Sequence, residues 1–381
     1  MEKTYILGTG LHPFGRFPDK TYGELGRVAV NEALEDAGTP WKDIEIIYAT
    51  SMLEGSSWGT KIARACGATG VPIINMEAAC CSTSAAIVQA NFAIGSGMHD
   101  LVLCVGAEKQ QRGFIPAYDQ PYWKRHLGLG TYPSIYAQVM QRYMEKYGTT
   151  LEEMAWLSVK SHLNASMNPY AHYQKMPNLT VEEVVNSRMI CDPFRILMIA
   201  PTSEGAGAVL LGNEKAIKKY GVRKPVEIVA AVHRFHQYER ETILYPPSLL
   251  KRVANDAYEQ AGIGPEDIDF AMIQDGMPIG EIDGLEEMGF CEEGEGAKMA
   301  IPIKGKDYGR TWIQGDFPVN TDGGYVSRGN CIGATGAAGI AEAVKQMRRE
   351  AGPRQVPKEV KTALVHNMGA GIQCSVSILK I

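Results

Sequence analysis

The feature that most constrains this chain is that its second half repeats its first. N-E-A-L-E-D-A-G at 31–38 faces N-D-A-Y-E-Q-A-G at 255–262, and Asp43-Ile44 returns as Asp267-Ile268, all at an offset of 224 residues. Each copy reads as the end of a helix, a glycine stop, a turn and the entry to a strand. A second pair agrees: a small-residue helix follows Cys80, and another, Gly333 to Met347, follows a glycine-rich turn. Agreement in both spacing and residue type is what a duplicated α/β unit leaves behind. The expected organisation is an N-terminal half at 1–225 and a C-terminal half at 226–381, with an insertion at about 110–190 in the first.

Within the first copy, Tyr5 to Gly8 reads as a strand. Thr21 to Ala37 carries Leu25, Val28, Ala29, Ala33 and Leu34 at helical spacing and stops at Gly38. Asp43 to Ala49 is the next strand, and Asp100 to Gly106 is an almost unbroken apolar run of the kind buried on both faces. This alternation implies a mostly parallel sheet with helices on it. At the other end, Thr362 to His366 and Gln373 to Leu379 read as the closing strands. The insertion is aromatic and polar, with helical patterns at Ser134 to Tyr147 and Thr150 to Asn164. It is expected to shape a substrate site; a purely structural cap would read the same way.

Chemistry concentrates in N-M-E-A-A-C-C-S-T-S-A-A at 75–86. A short strand, Val71 to Ile74, runs into a cysteine pair, and a helix continues to about Gly95. At such an elbow the free N–H groups of the helix start and its dipole converge on the sulfur, favouring thiolate and making a nucleophile. From the motif alone, two buried structural cysteines fit as well; the rest of the chain favours the nucleophile.

Charge and composition remove several function classes. A net charge of −5 opposes nucleic acid as the main partner. Apolar runs are too short to span a bilayer. Met1-Glu2-Lys3-Thr4 enters a strand at once, so no signal peptide is expected. The eight cysteines include no C-x-x-C pair, so neither zinc nor redox spacing is present and no metal is expected. Reduced thiols in the cytoplasm follow. Phosphate-cradling and dinucleotide fingerprints are lacking, so no permanently bound cofactor is expected.

Further motifs run in order along the chain: K-S-H-L-N-A-S-M-N-P-Y-A-H at 160–172, D-P-F-R-I-L at 192–197, P-T-S-E-G-A-G-A-V at 201–209, N-T-D-G-G-Y-V-S-R-G-N-C-I-G-A-T-G at 320–336 and L-V-H-N-M-G-A-G at 364–371. With E-A-A-C-C-S-T-S-A-A at 77–86, they resemble the thiolase superfamily end to end. The likeness is nearest to its sterol-carrier-protein and archaeal acetoacetyl-CoA branch. The resemblance implies a five-layer α/β/α/β/α sandwich, usually a homodimer or tetramer. It also implies coenzyme A as co-substrate and a small zinc-ribbon and OB-fold partner subunit. It puts the nucleophile at Cys80, with Cys81 at a small-residue position. The G-H-P histidine of the family is Asn330 here, as in ketoacyl synthase III-type and hydroxymethylglutaryl-CoA synthase-type enzymes, and the H-D-C-F histidine is Gln274. Both keep a hydrogen-bond donor for an oxyanion and neither can shuttle a proton. That task falls on His366, whose ordinary pKa of ~6.5 suits it. Met368, Gly369 and Gly324 are the expected substrate contacts. His162 and His172 are expected to fix a loop. Arg112, Lys124 and Arg125 fit either coenzyme A phosphates or surface solubility.

The implied reaction is thiolytic cleavage of a 3-oxoacyl-CoA through an acyl-cysteine. The unusual oxyanion side chains suggest an aromatic or dicarboxylic acyl group, such as that of benzoylsuccinyl-CoA. A condensing enzyme of the synthase type and a non-catalytic acyl-CoA-binding scaffold are the alternatives.

Overall fold

The computed structural model describes residues 2–117, 121–237 and 248–381. The repeated motif folds the same way twice. In the first copy Thr21 caps helix α1 (Tyr22–Ala37), its side chain accepting from the Glu24 N–H, and Gly38 closes it in the left-handed region at φ 63°. In the second copy Ser248 caps α6 (Leu249–Ala261) by accepting from the Lys251 N–H, and Gly262 closes it at φ 66°. Cap and stop are local chemistry, so a duplicated sequence reproduces them.

The main sheet has nine strands: β1 (Tyr5–Gly15), β2 (Ile46–Thr50), β3 (Ile73–Met76), β4 (Leu101–Glu108), β5 (Glu204–Gly212), β6 (Val226–Phe235), β7 (Phe270–Met272), β8 (Thr362–Gly369) and β9 (Gln373–Lys380). Their order is β3-β2-β4-β5-β1-β6-β9-β8-β7. The first five belong to one arm and the last four to the other. The arms join where Tyr5 pairs with Glu227 and Ile6 with Val226, and where the Ile228 N–H donates to the Thr4 carbonyl. Beside β7 an isolated parallel bridge, Ala271 to Val319, occupies the place that β3 takes beside β2.

The expectation of a mostly parallel sheet is corrected. Only β2–β3, β2–β4 and β7–β8 run parallel; the other neighbours are antiparallel. No crossover helix returns the chain between β8 and β9, which form a hairpin, so the strands must oppose. β4 and β5, separated by the insertion, oppose in the same way.

Two helices, α3 (Ser82–Gly95) and α8 (Thr335–Arg348), lie between the arms and share one core with residues of both. α1 covers the outer face of the first arm, helped by α2 (Trp58–Cys66). α6 covers the outer face of the second. The result is helix, sheet, helix, sheet, helix. Small residues permit the close central packing: a Cβ on Gly336 would fall 2.6 Å from Ser84 Oγ. The insertion forms α4 (Tyr132–Tyr147) and α5 (Leu151–Ser166), which pack on α7 (Pro278–Glu287) of the second half. Among the described residues no helix is long and apolar enough to cross a membrane.

Candidate active site

Strand β3 does not run straight into α3. A single tight turn, Ala79–Cys81, intervenes, with Ala79 at φ 49°, a left-handed conformation rare for alanine. Ser82 holds this elbow: its Oγ accepts from the Ala78 N–H at 2.9 Å and donates to the Ala79 carbonyl at 2.6 Å. Thr335, at the start of α8, donates to the Cys80 carbonyl at 3.3 Å. Both central helices therefore grip the elbow.

The two cysteines part company here. Cys80 lines a largely apolar cavity. Cys81 is fully buried on the other side, its thiol donating to the Asn367 carbonyl at 2.9 Å. His366, from β8, lines the same cavity as Cys80, as do Asn330, Gln274 and Met368. Residues from 80, 274, 330 and 366 thus converge as their motifs suggested. Gly369 lies just outside, where a Cβ would stand 2.5 Å from the Ala78 carbonyl. Gly324 is not in the walls: it is buried, and its N–H donates to Asp322 at 2.9 Å. Arg112, Lys124 and Arg125 are also absent from the walls, and His162 and His172 bond to Ser158 and Ser203 instead.

Asn330 is placed by its backbone. Its N–H donates to Pro201, its carbonyl accepts from Ser203 N–H at 3.0 Å and from Gln110 Nε2 at 2.8 Å, and its side chain is left to reach the Cys80 thiol. Its Oδ1 has no partner. Gln274 spends its Oε1 on the Met368 N–H at 2.7 Å. His366 is 3% exposed, and neither ring nitrogen has a hydrogen-bond partner.

The ionisation of the site differs from the elbow argument. Burial pushes the Cys80 thiol up to about 12; the Asn330 hydrogen bond works against this, and the Glu108 charge adds to it. Burial likewise pulls His366 down to about 3. Helix α3 begins at Ser82, one turn late, and desolvation outweighs its dipole. The pair is therefore a neutral thiol and a neutral imidazole, not a thiolate beside an ordinary histidine.

Three acids were not singled out by sequence. Glu108, at the end of β4, accepts from Ser51 Oγ and from the N–H groups of Met52, Leu53 and Gly333, tying the first arm to the turn before α8. Burial still raises it to about 6. A charge closing a wholly apolar strand was the available signal. Asp283 and Glu287, one turn apart on α7, line the cavity. Among the described residues no group of three or more His, Cys, Asp or Glu is arranged to hold a metal.

Comparison with known proteins covers the whole fold. Residues 4–215 match the family model "Thiolase, N-terminal domain", and 230–380 match "Thiolase C-terminal domain-like". An acetyl-CoA acetyltransferase of Methanothermobacter thermautotrophicus is 35% identical, the match covering 97% of each chain. The benzoylsuccinyl-CoA thiolase subunit BbsB of Thauera aromatica is 33% identical over 97% of this chain and 95% of its own. A solved structure described as an Ltp2-ChsH2(DUF35) aldolase superposes with a TM-score of 0.85 at 26% identity, over 99% of this chain and 97% of the other.

Proposed function

The chain belongs to the thiolase family and is an acyltransferase, and on that premise we propose that it cleaves a 3-oxoacyl-CoA with coenzyme A through an acyl-Cys80 intermediate. The observation that carries this reading is the convergence of Cys80, His366, Asn330 and Gln274 on one cavity.

In the proposed sequence the Cys80 sulfur bonds to the 3-keto carbon while its proton passes to His366. Because both groups are neutral at rest, transfer accompanies attack and does not precede it. The oxygen that gains charge accepts hydrogen bonds from the amides of Asn330 and Gln274. The C2–C3 bond breaks, and the leaving enolate takes the proton back from the imidazolium as a shorter acyl-CoA. Coenzyme A thiol then attacks the acyl-cysteine, its proton returning to the Cys80 sulfur by way of His366. Met368 borders the acyl group, while Gly369 and Gly324 shape the elbow and the loop behind Asn330.

The acyl group is proposed to be bulkier than that of acetoacetyl-CoA. Phe114, Tyr132, Pro133 and Tyr136 of the insertion form one wall, which suits a ring. The 2-benzoylsuccinyl-CoA thiolase relative makes that aromatic compound the first to test. Assembly as a homodimer or tetramer with a small zinc-ribbon and OB-fold partner is part of the proposal. It is supported by a relative described as a subunit and by one in complex with a DUF35 component. Eight unpaired thiols fit a cytoplasmic setting.

The test is incubation with 3-oxoacyl-CoA substrates, followed by the mass of the Cys80 peptide and its return to the unmodified value on adding coenzyme A. Carbon–carbon cleavage without an adduct would move the reading to aldol-type chemistry; an adduct that coenzyme A cannot discharge would move it to a condensing enzyme.

A further inference from the structure

The cavity wall carries titratable side chains at two places. One is the reaction centre. The other is α7, where Asp283 and Glu287 stand one turn apart facing the same space. Asp283 Oδ2 and Glu287 Oε2 are shut off from solvent and have no hydrogen-bond partner. A buried polar atom without a partner costs about 1–3 kcal/mol, so two such atoms on residues that line the cavity favour a ligand able to pair with them. His366, 3% exposed and also without partners, shows independently that this cavity is built around a ligand.

We propose that Asp283 and Glu287 are specificity residues that select an acyl chain bearing a hydroxyl group. This rests on the acyl-CoA reading above and deepens it.

The choice of hydroxyl follows from the electrostatics of the pair. Burial and the neighbouring carboxylates Glu287 and Glu286 push Asp283 well above the usual carboxylate range, so it keeps its proton. Burial likewise raises Glu287, to about 7, against the pull of the Lys251 charge and backbone N–H. One acid thus offers an O–H and the other a free oxygen. An alcohol donates and accepts at once and satisfies both. A chain ending in carboxylate meets Glu287 as a like charge. An ammonium group requires both acids to ionise, which burial opposes, and the nearby Lys251 charge repels it. A plain alkyl chain leaves both oxygens unpaired.

The experiment measures binding of non-cleavable thioether analogues of acyl-CoA, of equal chain length and in four classes, to the full chain by calorimetry. They are plain, hydroxylated at varied positions, carboxylate-bearing and amino-bearing. At its best position the hydroxylated chain should bind about fivefold to tenfold more tightly than the plain one. Asp283→Leu should reverse that order. Glu287→Gln, close in shape and without the charge, should keep the hydroxyl preference but relax the exclusion of carboxylate. Wild-type protein that binds the plain, amino or carboxylate chain at least as tightly overturns the proposal. So does an order that neither variant changes. If Asp283→Leu fails to fold, the Glu287→Gln result decides. Because nothing is cleaved, failure of Cys80 acylation would count against the thiolase chemistry and leave this binding order standing.

Discussion

At the scale of single residues, the decisive quantity is where the Cys80 proton lies. With the thiol near 12 and the imidazole near 3, neither group changes charge at any ordinary assay pH. We therefore expect no limb near pH 6.5 from His366 in the rate of Cys80 acylation. A limb at about 6 to 7, if present, belongs to the buried carboxyls that are raised into that range, Glu108, Asp275 and Glu287, and should persist in His366→Asn. Stopped-flow acylation across pH for both proteins checks this; a limb that disappears with the histidine contradicts it. His366→Asn should itself slow acylation by about 10²-fold as a missing proton carrier. Cys80→Ser should abolish acyl transfer. Cys81→Ala should retain most of it while costing about 1 kcal/mol of stability, since Cys81 packs away from the cavity. The opposite outcome for the two cysteines would exchange their roles. All four side chains of the proposed reaction centre were legible in sequence as motif positions. Their ionisation was not, because desolvation is set by everything that packs around them.

At the scale of elements, the elbow and the central helix pair carry the site. Ala79 holds a left-handed backbone that a β-branched residue adopts only with strain of order 1–3 kcal/mol. Ala79→Val should therefore displace Cys80 and depress acylation at least as much as global stability; a normal acylation rate would show that the turn tolerates remodelling. Gly336→Val tests the helix pair. Its side chain would collide with Ser84, so the urea midpoint should fall by the equivalent of about 1–3 kcal/mol. An unchanged midpoint would mean that α3 and α8 can separate. The small residues on both helices were visible in sequence, and so was each cap. Strand direction was read wrongly from the β/α alternation, because local pattern does not say which strands become neighbours.

At the scale of the whole molecule, two copies of one unit back onto each other through α3 and α8, and the insertion of the first copy packs on α7 of the second. The acyl cavity is thus built from both halves: Cys80 from one, and His366, Asn330 and Gln274 from the other. Purified from its native host, the chain should carry with it a small partner subunit, and any zinc in that complex should leave with the partner on dissociation. Metal analysis of the separated chains checks this, and a fully active chain purified without a partner opposes it.

The duplicated architecture and the positions of the side chains proposed to react were determined by the sequence itself. Helix caps, glycine stops and strand periodicity act between residues a few positions apart, so a repeat of them is a repeat of structure. Only the tertiary structure decided three other things: the antiparallel pairing of β4 with β5, the protonation of Cys80 and His366, and the arrival of Asp283 and Glu287 in the acyl cavity. Pairing, desolvation and the field at a buried acid depend on atoms brought together from segments far apart in the chain. No local pattern contains that information.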